Sequence, residues 1–165
     1  MRPTEPIREH HKHLMKRLGI FEKRVMEFRK LSGVPLRRVA KGEAFFLLRE
    51  LRPHAQAEER YLYPVVDNLA KAKGVKLSAT MRLDHEAIEK YVADFVKKAS
   101  RVTPFVVPGL ERAAWELVGL LKVHFEKEER VYLPLVDGNL KSAEVMEKIV
   151  EPMERFAERH AREKV

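Results

Sequence analysis

The chain contains an internal repeat with an offset of 70 residues, from His54 to His124. Residues 54–60 (HAQAEER) align with residues 124–130 (HFEKEER), and the match continues on both sides of this motif. Further aligned pairs are Leu47 with Leu117, Leu51 with Leu121, Pro64 with Pro134 and Asp67 with Asp137. Two copies of one unit restrict the chain to folds in which both copies pack against each other around a shared core.

Apolar residues recur with the 3.6-residue period of an amphipathic helix along the whole chain, without the alternation of a β-strand. The predicted helices cover about residues 7–31, 35–66, 79–99, 110–137 and 142–163. Short connections between them predict an all-α protein, an up-down-up-down four-helix bundle with an additional C-terminal helix on its outside. We expect Gly42 and Pro53 to bend the second helix and Pro152 to kink the last one.

Composition limits the domain organisation and the chemistry. With 165 residues and 45% apolar content, we expect a single domain over residues 1–165, with the bundle core at about 6–137. The chain has no cysteine, which excludes disulfides, thiolate metal sites and cysteine nucleophiles. Histidine and carboxylate therefore remain as the strong metal ligands.

Charge and hydropathy bear on possible partners. The net charge is +8, but basic residues alternate with glutamates in every segment, which does not favour nucleic acid as a partner. No apolar run approaches the roughly 18 residues of a membrane span, and the N-terminus lacks the apolar segment of a secretion signal. We therefore expect a cytoplasmic protein without membrane contact.

His11 and His85 occupy the same position on the apolar stripes of the first and third predicted helices. Ile7 and Met81 lie four residues before them, and apolar residues follow each histidine at three, seven, ten and fourteen positions. His10 does not share this pattern, because its third successor is another histidine. We therefore place His11 and His85 inside the bundle.

The second and fourth predicted helices each carry a His-x-x-x-Glu motif, whose two side chains project from one helix face. One such motif is common on helix surfaces, but two of them in repeated units with facing histidines favour a two-metal site. Bound cations would neutralise carboxylates that are otherwise costly to bury. Imidazole and carboxylate ligands without sulfur favour iron over manganese or zinc. The candidate ligands are His11, His54, Glu58, His85, His124 and Glu128.

Four segments together resemble a known family: residues 7–14 (IREHHKHL), 54–64 (HAQAEERYLYP), 83–88 (LDHEAI) and 124–134 (HFEKEERVYLP). Over about residues 6–137 the chain is similar to the hemerythrin-like HHE cation-binding family. The resemblance implies a four-helix bundle around a non-haem di-iron centre, with two iron ions (Fe2+/Fe3+) that share an oxo or hydroxo bridge. It also implies that the six candidate residues are the metal ligands.

The resemblance is incomplete at one position. Hemerythrins that carry oxygen resemble this chain but have a further histidine where it has Met81, so reversible oxygen carriage does not follow from the resemblance. His10 is either a fifth histidine ligand or a solvated neighbour of the site.

Three functions remain open from the sequence. The first is binding or sensing of a small ligand, namely O2, NO or iron itself. The second is a di-iron enzyme that acts in oxidative or nitrosative stress, as in repair of iron centres or handling of peroxide. The third is a metal-free helical module for protein interaction.

Five further residues have expected roles near the motifs. Glu59 and Glu129 follow the candidate glutamates by one residue, a rotation of about 100° on an α-helix, and are expected on the outer face. Tyr61 and Tyr132 are expected to fill the core or to donate hydrogen bonds near the ligands. Trp115 is expected in the core.

Overall fold

The computed structural model describes residues 2–71, 74 and 76–162, and these form five helices with no strand. α1 spans Glu5–Glu27 and ends in a 3-10 turn at Phe28–Lys30, α2 spans residues 33–70, α3 spans Ala79–Ser100, α4 spans residues 107–139 and α5 spans residues 142–162. The expected all-α bundle with an additional C-terminal helix is confirmed. The expected end of that helix, at about residue 163, lies outside the described residues.

Two helix boundaries differ from the expectation. The loop expected at residues 67–78 is shorter, because α2 continues to Ala70. α4 begins at Val107 instead of residue 110, with Pro108 in its first turn. A first-turn proline is favourable there because the N–H group that it lacks has no partner within the helix.

Wide helical turns, in which an N–H bonds to the carbonyl five residues earlier, interrupt three helices. They cover Leu47–Leu51 and Glu58–Leu62 in α2, Glu128–Tyr132 in α4 and Met146–Val150 in α5. The second residue after each turn is a proline, in order Pro53, Pro64, Pro134 and Pro152. Proline has no N–H and clashes with the carbonyl four residues earlier, and a locally widened helix relieves that clash. The helices therefore continue through all four prolines.

Between these turns the helical segments are regular. They cover Gly33–Phe46, Arg52–Ala57 and Tyr63–Ala70 in α2, Val107–Lys127 and Leu133–Asn139 in α4, and Ser142–Val145 and Glu151–Arg162 in α5. Gly42, which was expected to bend α2, lies within the first of these regular segments.

The buried apolar residues form two clusters. One cluster contains Leu14, Leu51, Ile88 and Leu121, and the other contains Ile7, Leu62, Met81 and Tyr132. In each of the first four helices, the chain passes from one cluster to the other at the level of the candidate metal ligands. The candidate ligands therefore form a polar layer between two apolar parts of the core.

Trp115, which was expected in the core, is 43% exposed, and its repeat partner Phe45 is 61% exposed. Each of the two aromatic residues follows a buried alanine, Ala44 or Ala114. A step of one residue on a regular helix turns the side chain by about 100°, away from the stripe that faces the core. The expectation for Trp115 was therefore wrong.

α5 packs on the outside of the bundle, against the segments Leu47–Leu51 and Arg52–Ala57 of α2. Its own residues Val145 and Ile149 are buried against the bundle. Among the described residues, no helix has the length and apolar character needed to cross a membrane.

Candidate metal centre

The bundle brings six histidine and glutamate side chains together at one level, one each from α1 and α3 and two each from α2 and α4. They are the residues singled out from the sequence, His11, His54, Glu58, His85, His124 and Glu128, and all six are buried. Two groups of three have ligand atoms within 4.8 Å of one another, and Glu58 belongs to both groups. The first group adds His11 and His54, and the second adds His85 and His124.

Glu58 lies between two pairs of histidines. Its Oε1 atom is 3.2 Å from His11 Nε2 and 2.9 Å from His54 Nε2. Its other carboxylate oxygen, Oε2, is 3.5 Å from His85 Nε2. His85 Nε2 in turn lies 3.1 Å from His124 Nε2. One carboxylate therefore faces both histidine pairs, with a different oxygen toward each.

Glu128 is placed between the same two pairs. Its Oε2 atom lies 3.6 Å from His11 Nε2 and 3.6 Å from His124 Nε2. Its Oε1 atom accepts a hydrogen bond of 2.9 Å from the hydroxyl of Tyr63, and that hydroxyl is 3.1 Å from His85 Nε2. The Tyr63 hydroxyl is thus part of the polar layer.

Three polar atoms in this layer are buried and make no hydrogen bond of good geometry within the part of the chain that the structure describes, although one of them, His54 Nε2, lies 2.9 Å from Glu58 Oε1. They are Nε2 of His54, Oε2 of Glu58 and Oε2 of Glu128. A buried polar group without a partner costs about 1–3 kcal/mol, and an ionised one costs more. Imidazole nitrogens and carboxylate oxygens that converge in this way match the ligands that iron and other transition metals take. The residues present therefore fit a metal centre.

The pKa shifts of the buried carboxylates and imidazoles also favour a bound cation. Burial and the charge of Glu58 raise the pKa of Glu128 well above its ordinary value. Burial opposes ionisation of Glu58 too, but the imidazoles of His54 and His11 outweigh it and lower the pKa of Glu58. Burial lowers the pKa of His54 and lowers that of His124 to about 4. Two carboxylates this close do not both ionise unless positive charge is added between them.

Glu59 and Glu129 are partly exposed, at 40% and 33%, but each contacts a buried histidine of α3 or α1. The expectation that they are only outer-face charges was therefore wrong. His11 Nδ1 lies 2.8 Å from Glu129 Oε1, and His85 Nδ1 lies 3.0 Å from Glu59 Oε1. A carboxylate on Nδ1 holds the ring in the orientation and tautomer that leave Nε2 free toward the centre. Arg8 pairs with Glu129 in turn.

The histidines of α2 and α4 have different neighbours. His124 Nδ1 lies 3.3 Å from Asp84 Oδ2, and Lys127 pairs with the same carboxylate. Beside His54 stands His10, whose ring centre is 4.8 Å from that of His54. His10 is exposed, and burial of part of its ring together with nearby His54 lowers its pKa to about 4.

Tyr63 is the residue that the sequence analysis missed. Of the two tyrosines considered from the sequence, Tyr61 packs its ring against Phe156 of α5, and Tyr132 donates to the carbonyl of Leu77. The repeat itself concealed Tyr63, because the equivalent position in α4 is Leu133. Its place directly before a proline is shared by Leu133, so no signal in the sequence distinguishes Tyr63.

Comparison with known proteins agrees with this geometry. The profile of the Hemerythrin HHE cation binding domain matches residues 2–136. Comparisons with curated proteins and with solved structures gave no significant match.

Proposed function

The chain belongs to the hemerythrin HHE cation-binding domain family, and we propose that, as a member, it is a non-haem di-iron protein that binds or senses a small ligand such as O2, NO or iron. The proposed metal ligands are His11, His54, Glu58, His85, His124 and Glu128. In this assignment Glu58 and Glu128 would serve both ions, and the four histidines would supply two imidazoles for each.

The observation that carries the proposal is the position of Glu58. Its two oxygens face different pairs of histidines, and it is fully buried at 0% exposure. A carboxylate in this position suits two cations better than one, because each histidine pair has its own oxygen. An unneutralised carboxylate in the same position would cost the fold several kcal/mol.

The donor set supports iron as the metal. Four imidazoles and two carboxylates without sulfur suit Fe, with Mn and Zn as alternatives of lower preference. When bound, a pair of iron ions supplies Lewis acidity and one-electron redox chemistry toward a small ligand. The residues around the site keep water out and hold the ligands in position. The two apolar clusters exclude bulk water, and Glu59 and Glu129 hold their histidines by Nδ1.

Tyr63 supports a second candidate, a di-iron enzyme that acts on a small oxidant in oxidative or nitrosative stress. Its hydroxyl donates to Glu128 Oε1 inside the polar layer. A phenol in that position can donate a proton, a role that reversible binding does not need. Met81, packed at 0% exposure, stands where oxygen-carrying relatives have a histidine.

The proposal is tested by metal content. The chain is loaded anaerobically with Fe2+, freed of excess metal and analysed for iron per chain. Glu58→Gln and a control, Glu126→Gln, are treated in the same way; Glu126 is an exposed glutamate of α4 that pairs with Arg130. About two irons are expected in the parent and in the control, and most of that iron should be lost in Glu58→Gln. Parent protein without metal would support the metal-free interaction module instead.

The ligand role is then tested on loaded protein. Optical spectra are recorded before and after exposure to NO and, separately, to O2, followed by removal of the gas. A spectral change that reverses supports binding or sensing. Repeated consumption of hydrogen peroxide in the presence of a reductant would support the enzyme hypothesis. Loss of this consumption in Tyr63→Phe would show that the reaction depends on the Tyr63 hydroxyl.

A further inference from the structure

A cavity of about 620 Å3 lies outside the polar layer, between α1, α2 and α5. Its inner end is formed by His54 and Ala57 of α2 and by His10 of α1. Met153 and Ala157 of α5 line the opposite side. Because α5 lies beyond the residues that match the family, which end at 136, this wall comes from a part of the chain that the family match does not include.

The internal repeat shows how the surroundings of His54, which borders this cavity, differ from those of its repeat partner His124. Beside His124, the ion pair between Asp84 and Lys127 covers the ring. At the equivalent positions beside His54, the chain has His10 in place of Asp84 and Ala57 in place of Lys127. The Lys127 side chain and its ion pair are thus replaced by the methyl group of Ala57 and the imidazole of His10. α5 covers the space that remains.

The lining indicates what could bind there. Pockets for small organic molecules have volumes of about 300–1,000 Å3 and mainly apolar walls, and this cavity meets both conditions with residues such as Ile7, Pro53 and Val150. Two imidazoles, His10 and His13, supply hydrogen-bonding groups at one side.

The charges at the rim are mainly negative. Four carboxylates belong to the lining, those of Glu9, Glu50, Glu154 and Glu158, beside one arginine, Arg49. Arg49 already donates to the carbonyl of His160. An anionic molecule would have to pass four negative groups, and a cation would lose its water against apolar walls.

We propose that this cavity is a binding site for an uncharged organic molecule with an apolar body, held against the ring of His54 beneath α5. The site goes beyond the binding of metal or of a diatomic ligand. It also does not require metal, because its walls are formed by the three helices themselves. Measurements on metal-free and on iron-loaded protein therefore separate this proposal from the one above.

The test uses two fluorescent probes with nearly the same skeleton. N-phenyl-1-naphthylamine is uncharged, and 8-anilinonaphthalene-1-sulfonate carries a sulfonate. The uncharged probe should bind the full chain with a Kd of about 100 μM or tighter, and the sulfonate at least about ten-fold more weakly. The net charge of +8 would favour the sulfonate on a non-specific surface. Equal or tighter binding of the sulfonate would overturn the proposed class of ligand.

Two substitutions on α5 locate the site. Met153→Trp places a larger side chain in the cavity, and Arg155→Trp places the same side chain on the exposed face of the same helix, where Arg155 pairs with Glu151. Met153→Trp should weaken binding of the uncharged probe at least about ten-fold, and Arg155→Trp should leave it unchanged. Ala157→Met is a smaller filling substitution, to be used if Met153→Trp does not fold by circular dichroism. Parent-like affinity in the folded filling variant, or equal weakening in Arg155→Trp, would overturn the proposal.

Discussion

His11 Nδ1 lies 2.8 Å from Glu129 Oε1, and this contact joins the first helix of the chain to the fourth. The contact between His85 and Glu59, at 3.0 Å, joins the third helix to the second in the same way. An arginine accompanies both contacts, since Arg8 pairs with Glu129 and Arg82 Nη1 lies 3.7 Å from Glu59. The two halves of the bundle therefore repeat the carboxylates that orient the candidate ligands, as well as the ligands themselves.

Substitution of either orienting glutamate should weaken metal binding. Glu129→Ala and Glu59→Ala leave all six proposed ligands in place but remove the acceptor for the Nδ1 proton. We expect iron affinity to fall roughly 10–100-fold in each variant. Affinity is measured by competition with a chelator of known strength.

The control for these variants is Glu126→Ala. Glu126 is an exposed glutamate on α4 that pairs with Arg130 at the surface, and its removal should leave iron affinity unchanged. If the two orienting variants bind iron as tightly as this control, the contacts on Nδ1 have no part in holding the metal.

The sequence predicted that the six candidate side chains converge, and they do lie together, but it did not predict that these two glutamates contact the histidines. The error has a physical cause. The rotation of about 100° per residue holds for a regular α-helix, whereas wide turns begin at Glu58 and at Glu128. A wide turn contains more residues, so each step rotates less and the next residue stays nearer the inner face.

Some other parts of the site could be predicted from the sequence and some could not. The repeat and the apolar period were sufficient for the helices and for the facing histidines, because both depend on local spacing. The role of Tyr63 depends on a contact across the bundle with Glu128, and the repeat offered no second copy of it. The cavity beside His54 depends on how α5 packs, which helical periodicity does not determine.

Removal of the Tyr63 hydroxyl should destabilise the metal-free protein. Tyr63→Phe keeps the buried ring but leaves Glu128 Oε1 without the hydrogen bond that it accepts. We expect the free energy of unfolding to fall by about 1–2 kcal/mol, as measured by urea denaturation. Tyr61→Phe, where the ring packs against Phe156, should change it by less than about 0.5 kcal/mol. Equal effects in both variants would contradict a specific role for the Tyr63 hydroxyl.

Asp137 should contribute a stabilisation that depends on pH. Burial opposes its ionisation, but the N–H of Thr4 and the guanidinium of Arg8 outweigh burial and lower the pKa of Asp137 below its ordinary value of 3.8. Because the pKa is lower in the folded state, the stabilisation is complete above about pH 4 and is lost as the pH falls through the folded-state pKa.

Asp137→Asn should therefore lower the free energy of unfolding by about 1 kcal/mol at pH 7. The difference from the parent should shrink as the pH falls below about 4, as followed by urea denaturation at a series of pH values. Asp94→Asn is the control, since Asp94 pairs with Lys98 at the surface, and its effect should be small throughout. A difference for Asp137→Asn that stayed constant down to pH 2 would rule out the ionised carboxylate as its source.

Two glycines of α2 should respond to alanine with opposite signs. Gly33 has a φ of +56°, a conformation that disfavours any side chain, so Gly33→Ala should destabilise the protein by about 1 kcal/mol. Gly42 lies in a regular, exposed part of the same helix, and a Cβ there would meet nothing within 4 Å. Gly42→Ala should stabilise by about 0.5–1 kcal/mol. Thermal and urea unfolding measure the change in stability of both variants. A change of the same sign in both would contradict the different backbone conformations assigned to Gly33 and Gly42.

The wide turns at Glu58–Leu62 and Glu128–Tyr132 also bear on the symmetry of the bundle. Each turn adds residues to one helical turn, and each is followed by a proline at the same distance. Both hairpins therefore shift the residues beyond Glu58 and Glu128 by the same amount. The helix ends below the polar layer thereby keep the two-fold pattern that the histidines and glutamates have within it.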